Sequence, residues 1–299
     1  MNIPRTFFRG LSFLFFAAVL VFAGCKSSPP AMPPVHPAAA LPPNMDAYFY
    51  LSMEENKDLI AGFIDQGMGG RYFLENTRVM YGSVKRDAPD GGLMIAAQGD
   101  YSVRLVEFGI GREDAWEETG VLIAEGEARY YRNRETGMEM AIPAPQLILT
   151  GSGIAERLAH LFAGRAAFPV REDTLAAWES HAAGFYLPRI DEKGLPPLIP
   201  PNLPIAAKEI LILADPRGAG ETDIAGSVSF DSADMALAAS FFLRMSFAGF
   251  MGSQGMSAAE IRSTLKITPE GKRIDFSGIR FPRKAAEQLF AGLIAEGAP

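Results

Sequence analysis

The clearest pattern in the chain lies near its C-terminus. Leu265, Ile267, Ile274 and Phe276 alternate with Lys266, Arg273, Asp275 and Ser277 about the turn Pro269-Glu270-Gly271. A period of two predicts a β-hairpin with one buried face. Related segments recur upstream. Ala47–Leu51 and Ala183–Leu187 share the pattern Ala-x-Phe-Tyr-Leu and read as strands. Residues 79–84 with 92–101, and residues 209–214 with 222–230, flank loops rich in Pro, Gly and Asp and read as hairpins. Helical segments follow at 102–109 and 232–250. A further hairpin pairs 129–131 with 138–142 in the first half, and 264–268 with 272–277 in the second. Helices at 154–163 and 283–295 close the halves. The order strand, hairpin, helix, hairpin, helix thus occurs twice, predicting an α+β fold of two diverged repeats. One-sided alternation predicts antiparallel sheets with helices packed on one face. The halves fall at 46–181 and 182–299. Residues 188–204, with six prolines among leucines and Ile199, form a flap between them.

Two helices carry ordinary stripes. After Ser52 and Glu55, a capping-box pair, Leu59, Ile60, Phe63 and Ile64 share an arc opposite Glu54, Asp58 and Asp65. In 283–295, Ala286, Leu289, Phe290, Leu293 and Ile294 group together. Such stripes dock on a sheet. Residues 232–252 differ. Met235, Leu237, Phe241, Phe242, Leu243, Met245, Phe247, Phe250 and Met251 surround the helix, and Arg244 is the only charge from Met235 to Gly252. A helix apolar all round is either buried or placed in lipid. The plain reading is a core helix. The functional readings are a wall of a lipid-binding cavity or an element that contacts a bilayer. The candidate contacts are Phe241, Phe242, Met245, Phe247, Phe250 and Met251, joined by Leu289, Phe290 and Leu293.

The N-terminus has a different pattern. Arg5 and Arg9 precede an almost unbroken apolar run from Leu11 to Phe22, which ends at Ala23-Gly24-Cys25. The run is shorter than a bilayer span of about 20 residues and suits the apolar core of a signal peptide. Residues 26–44 hold seven prolines and read as an extended tether. His36 lies within it and reads as a solvated linker histidine. Phe22-Ala23-Gly24-Cys25 resembles the lipobox of bacterial lipoproteins. That resemblance implies cleavage after residue 24 and acylation of Cys25, which would make 25–45 the tether of a membrane-anchored protein. Lys26 beside the cysteine then implies outer-membrane delivery, with the body facing the periplasm. Together with Met235–Met251 and Leu289–Ile294, the lipobox gives the chain a likeness to spirochaetal outer-membrane lipoproteins. Those are described as inserting amphipathic helices into the inner leaflet.

Charge narrows the partners. The 299 residues hold 28 basic and 35 acidic side chains, a net charge of −7. Without residues 1–24, which contain two arginines and no acid, the balance is 26 against 35, or −9. Such a body lacks the basic face that nucleic-acid binding needs. Anionic headgroups would repel it, so membrane contact must come from the acyl group on Cys25 and from apolar surface. The single cysteine excludes an internal disulfide and any multi-cysteine metal site.

Candidate chemistry is sparse. His160 stands four residues after Glu156, an ion-pair spacing. His181 precedes a strand. No Gly-x-Ser-x-Gly elbow, P-loop or His-Glu-x-x-His is present, and Gly109-Ile110-Gly111 lacks the third glycine of a dinucleotide loop. The acidic run 112–118 around Trp116 reads as a solvated helix face. No cofactor or catalytic residue is implied. The leading reading is a non-enzymatic, lipid-anchored envelope protein that binds lipid or an amphiphile, or contacts the outer membrane, through apolar helices. The second is an envelope scaffold that meets a protein partner through a sheet edge or acidic face. The third is a hydrolase with an unrecognised carboxylate site.

Overall fold

A computed structural model describes residues 34–61, 68–86, 88, 92–124, 126–190, 207–218 and 220–284. Its centre is explained by two short strands, β1 (Ala47–Ser52) and β8 (Ala183–Leu187), which pair antiparallel through Phe49 opposite Phe185. Both are runs of consecutive apolar residues, and Ala47–Leu51 and Ala183–Leu187 are buried throughout. Successive side chains point to opposite faces, so such a run needs cover on both.

The remaining strands extend outward from this pair. They are β2 (Thr77–Val84), β3 (Leu93–Gly99), β4 (Trp116–Ile123), β5 (Gly126–Asn133), β6 (Glu139–Ala144), β7 (Leu147–Gly151), β9 (Glu209–Arg217), β10 (Glu221–Ser229), β11 (Lys266–Glu270) and β12 (Arg273–Pro282). The described residues form one antiparallel sheet of order β11-β12-β10-β9-β8-β1-β2-β3-β7-β6-β5-β4.

From the central pair the order runs β1-β2-β3-β7 one way and β8-β9-β10-β12 the other. The expected hairpin of residues 129–131 and 138–142 is β5–β6. The position matching β11–β12 is held by β6–β7 instead. Two strands, β4 and β7, therefore enlarge the first half beyond the five-element unit that the sequence suggested. The two halves share one continuous sheet, an arrangement the alternation left open, and that sheet is larger than the predicted units.

Helices cover both faces, not one. On the first face lie α1 (Met53–Ala61), α2 (Met68–Asn76), α3 (Val103–Ile110), α6 (Ala233–Ser253) and α7 (Ala258–Thr264). They pack against Phe49, Phe185, Ile212 and Phe276. On the second lie a 3-10 turn (Pro37–Ala40), α4 (Ile154–Phe162) and α5 (Glu172–Glu179), packed against Tyr48, Tyr50, Tyr186 and Leu149. The one-faced expectation came from β11–β12, whose outward residues are charged. It does not hold at the centre, where Phe49 turns to one core and Tyr48 and Tyr50 to the other.

The second core closes around Trp178 of α5, which is fully buried and stacks on Tyr50 at 6.5 Å. Gly184 makes room for it, because a Cβ there would lie 2.0 Å from the indole Cδ1. The start of the body is fixed to the same face. Ala38, Ala40 and Leu41 are fully buried, and Arg157 donates to the carbonyls of Ala39 at 2.6 Å and Ala40 at 2.7 Å. Burial of that guanidinium lowers its pKa, with Glu156 opposing.

Candidate functional site: the outer face of an apolar helix

α6 starts at Ser232, whose hydroxyl accepts from the Met235 amide at 3.2 Å, and Asp234 sits in its first turn. Both features suit a helix N-terminus. Ala236, Ala239, Leu243, Phe247 and Met251 are buried at spacings of three and four. The two alanines let the helix approach the sheet closely. Phe247 meets Phe276 at 5.4 Å, and Phe250 stacks on Phe281 at 4.5 Å. This stripe is the helix's docking face.

The opposite stripe is also apolar. Leu237, Phe241 and Met245 are 62%, 67% and 62% exposed at i, i+4 and i+8, and Phe242 beside them is 44% exposed. Arg244 does not break this surface, because its guanidinium turns back to donate to the Ile267 carbonyl at 2.9 Å. Among the described residues, α6 alone has the length and hydropathy to cross a bilayer. Its best 18-residue window has mean hydropathy 1.4, and 28% of that window is buried. A core helix would be mostly buried. Large apolar side chains facing water in a contiguous stripe mark a contact surface.

Of the residues expected to meet lipid, Phe241, Phe242 and Met245 are thus on the surface. Phe247 and Met251 lie in the core, and Phe250 is half-buried against Phe281. Cys25, Leu289, Phe290 and Leu293 lie outside the described residues. The structure adds Leu237. It also adds a smaller patch on α3, where Leu105 and Phe108 are exposed and the Arg112 guanidinium stands 4.6 Å from the Phe108 ring centre. Val106 of α3 packs on the same core as α6. Amphipathic spacing in 103–108 was the available signal for this second patch.

The three histidines each make contacts within the fold. His160 stands 4.0 Å from Glu156 on the exposed side of α4. Ser180, His181 and Asp215 come together, with Ser180 Oγ 3.1 Å from His181 Nδ1 and Asp215 Oδ2 3.7 Å from Nε2. His181 Nδ1 donates to the Ala177 carbonyl at 2.8 Å and Ser180 Oγ donates to the same carbonyl at 2.9 Å. Nδ1 therefore carries a proton and cannot receive the serine's. Asp215 accepts from the Ala182 amide at 2.8 Å and holds the entry to β8.

His36 departs from the expected solvated state. Its Nδ1 accepts from the Ala38 amide at 3.2 Å, so Nε2 carries the proton given to Glu179 at 2.9 Å. Tyr81 donates to the same carboxylate oxygen at 2.9 Å. Burial, reinforced by Glu179, pushes the Tyr81 hydroxyl far above its ordinary pKa. These contacts latch the end of the proline-rich segment onto the body. The acidic run is not helical. Glu113 accepts from Trp116 Nε1 at 3.1 Å, and Glu117 pairs with Arg134 at 3.1 Å. Among the described residues no group of three His, Cys, Asp or Glu side chains is placed to hold a metal.

No protein-family model and no curated protein sequence matches the chain. Solved structures do. Crystal form I of TP0453 superposes with a TM-score of 0.62 at 17% identity, covering 87% of this chain and 98% of that one. Crystal form III gives 0.61 at 17% identity, covering 87% and 99%. Crystal form IV gives 0.61 at 17% identity, covering 86% and 97%. The likeness, at this identity, is one of fold.

Proposed function

We propose that this chain is a non-enzymatic, lipid-anchored protein of the cell envelope that contacts lipid or another amphiphile through the outer face of α6. The observation that carries the reading is the exposed stripe Leu237, Phe241 and Met245 on a helix already docked by its other side. Apolar burial at about 25 cal/mol per Å² makes such a stripe adhesive toward acyl chains. The lipobox-like Phe22–Cys25 supports an acyl anchor, with the outer membrane, facing the periplasm, as its site. The latched His36 supports a short tether, because only ten residues separate it from Cys25, which even a fully extended chain could stretch to no more than about 35 Å.

The test is flotation of the chain from Lys26 onward with phosphatidylcholine vesicles. Binding is expected without any acyl group. It should weaken when phosphatidylglycerol is added, because the body is acidic. No flotation on neutral vesicles would overturn the contact reading. Mass spectrometry of the full-length protein tests the anchor separately, by the mass of acyl chains on Cys25.

A further inference from the structure

A large open sheet has two edges, and this molecule treats them differently. β11 is blunted. It has five residues, begins with Lys266, and carries Pro269, which has no N–H to offer. The Ile267 carbonyl is already taken by Arg244 at 2.9 Å. Short strands, lysine and proline are the devices by which natural sheets stop an edge from pairing.

β4 has none of them. It pairs with β5 in unbroken register from Trp116 opposite Asn133 to Ile123 opposite Gly126. The Ala115 carbonyl accepts from Arg134 just before that ladder, at 2.7 Å. Backbone direction alternates along an antiparallel strand, so Glu117, Thr119, Val121 and Ile123 bond inward to β5. Glu118, Gly120 and Leu122 turn their N–H and C=O groups outward. The Trp116 amide also turns outward, and Glu113 receives it at 3.0 Å, closing that end. The other three residues are exposed, Leu122 by 83%, and nothing among the described residues meets their outward backbone groups. Val121 and Ile123 pack against the second core, which anchors the strand.

Charge selects the occupant. Residues 112–139 carry eight acids and four arginines. Three of the arginines pair internally, Arg134 with Glu117, Arg129 with Glu118 and Arg132 with Glu139. The fourth, Arg112, lies over Phe108. The edge is therefore net acidic, and a second copy laid along it would bring like charge to like charge. The geometry points to β4 as the docking site for an extended segment of another polypeptide. That segment adds a further strand, with aliphatic residues beside Val121–Ile123 and basic residues beside Glu117 and Glu118. This assignment is independent of the α6 surface.

The probe is a fluorescein-labelled octapeptide of alternating lysine and valine, compared with its glutamate–valine counterpart by fluorescence anisotropy. The lysine peptide should bind and the glutamate peptide should not. Binding should protect the amides of Glu118, Gly120 and Leu122 from hydrogen exchange, while Thr119 and Val121 keep their existing protection. Gly120→Pro removes the central outward donor and should weaken binding at least tenfold. The atoms nearest to a side chain there belong to the flexible, exposed Glu127 side chain, which can swing aside, so the fold should survive. Should that variant melt early, Leu122→Lys at a fully solvated position replaces it, weakening the lysine peptide and admitting the glutamate one. Equal binding of both peptides, no binding of either, or unchanged affinity in Gly120→Pro and Leu122→Lys overturns the assignment. So does a concentration-dependent dimer abolished by Gly120→Pro, which would give the edge to a second copy.

Discussion

Phe241→Ser separates a contact surface from a core helix. A phenylalanine side chain buries about 150–250 Å² when fully enclosed. Phe241 is 67% exposed, so about 130 Å² is available for a partner to cover. At 25 cal/mol per Å² that area is worth about 3 kcal/mol, or roughly a hundredfold in partition onto a bilayer. The same substitution removes almost no native contact, so folding stability should change by less than about 0.5 kcal/mol. Leu243→Ala, two residues on and fully buried, has the opposite profile. It should cost about 2–5 kcal/mol of stability. While folded, it should leave vesicle binding unchanged. The assays are flotation on phosphatidylcholine vesicles across a lipid titration, and thermal melts of the same samples. The reasoning is refuted if Phe241→Ser floats as well as the parent protein, or if it lowers Tm as far as Leu243→Ala does.

Three other expectations follow from the cores. Arg157→Ala leaves the carbonyls of Ala39 and Ala40 buried without their donor, at a cost of about 2–4 kcal/mol. It should open residues 34–45 to limited proteolysis before the body unfolds. Gly184→Ala drives a methyl into the Trp178 indole and should cost about 1–3 kcal/mol, seen as a lower Tm and altered tryptophan fluorescence. Burial pushes Tyr101, Tyr131 and Tyr186 up to about 12. The unfolded chain ionises them near 10, so their contribution is intact below pH 10 and lost as pH climbs from 10 toward 12. The part of the tyrosinate absorbance at 295 nm that comes from these three should therefore appear together with loss of structure. A smaller 295 nm signal in Tyr→Phe variants at 101, 131 or 186 than in the parent protein, while both are folded at pH 10, would contradict the burial.

Local pattern carried the sequence reading as far as local physics reaches. The alternation in 265–277 located β11 and β12 because their outer face is truly solvated. The all-round apolarity of 232–252 was legible, but its division into docking and outer faces was not. Leu243 and Phe242 are neighbours of equal hydrophobicity, and only the sheet beneath distinguishes them. β4 escaped because Glu117 and Glu118 mimic a solvated helix face, while their real partners, Arg134 and Arg129, come from the next strand. His36 was misread because Glu179 is 143 residues away. No window of sequence contains both.

The central pair of strands has a consequence for the order in which the chain acquires structure. β1 finds β2 within a few tens of residues, but its other neighbour, β8, is not complete until residue 187. A chain that emerges from its N-terminus therefore carries Ala47–Ser52 as a bare apolar edge while more than a hundred further residues follow. Closing so long a loop is slow relative to local hairpins. For that interval the middle of the finished sheet is its most adhesive rim. A chaperone that holds the emerging chain would be expected to bind there, and variants that weaken β8 should aggregate through β1 during refolding.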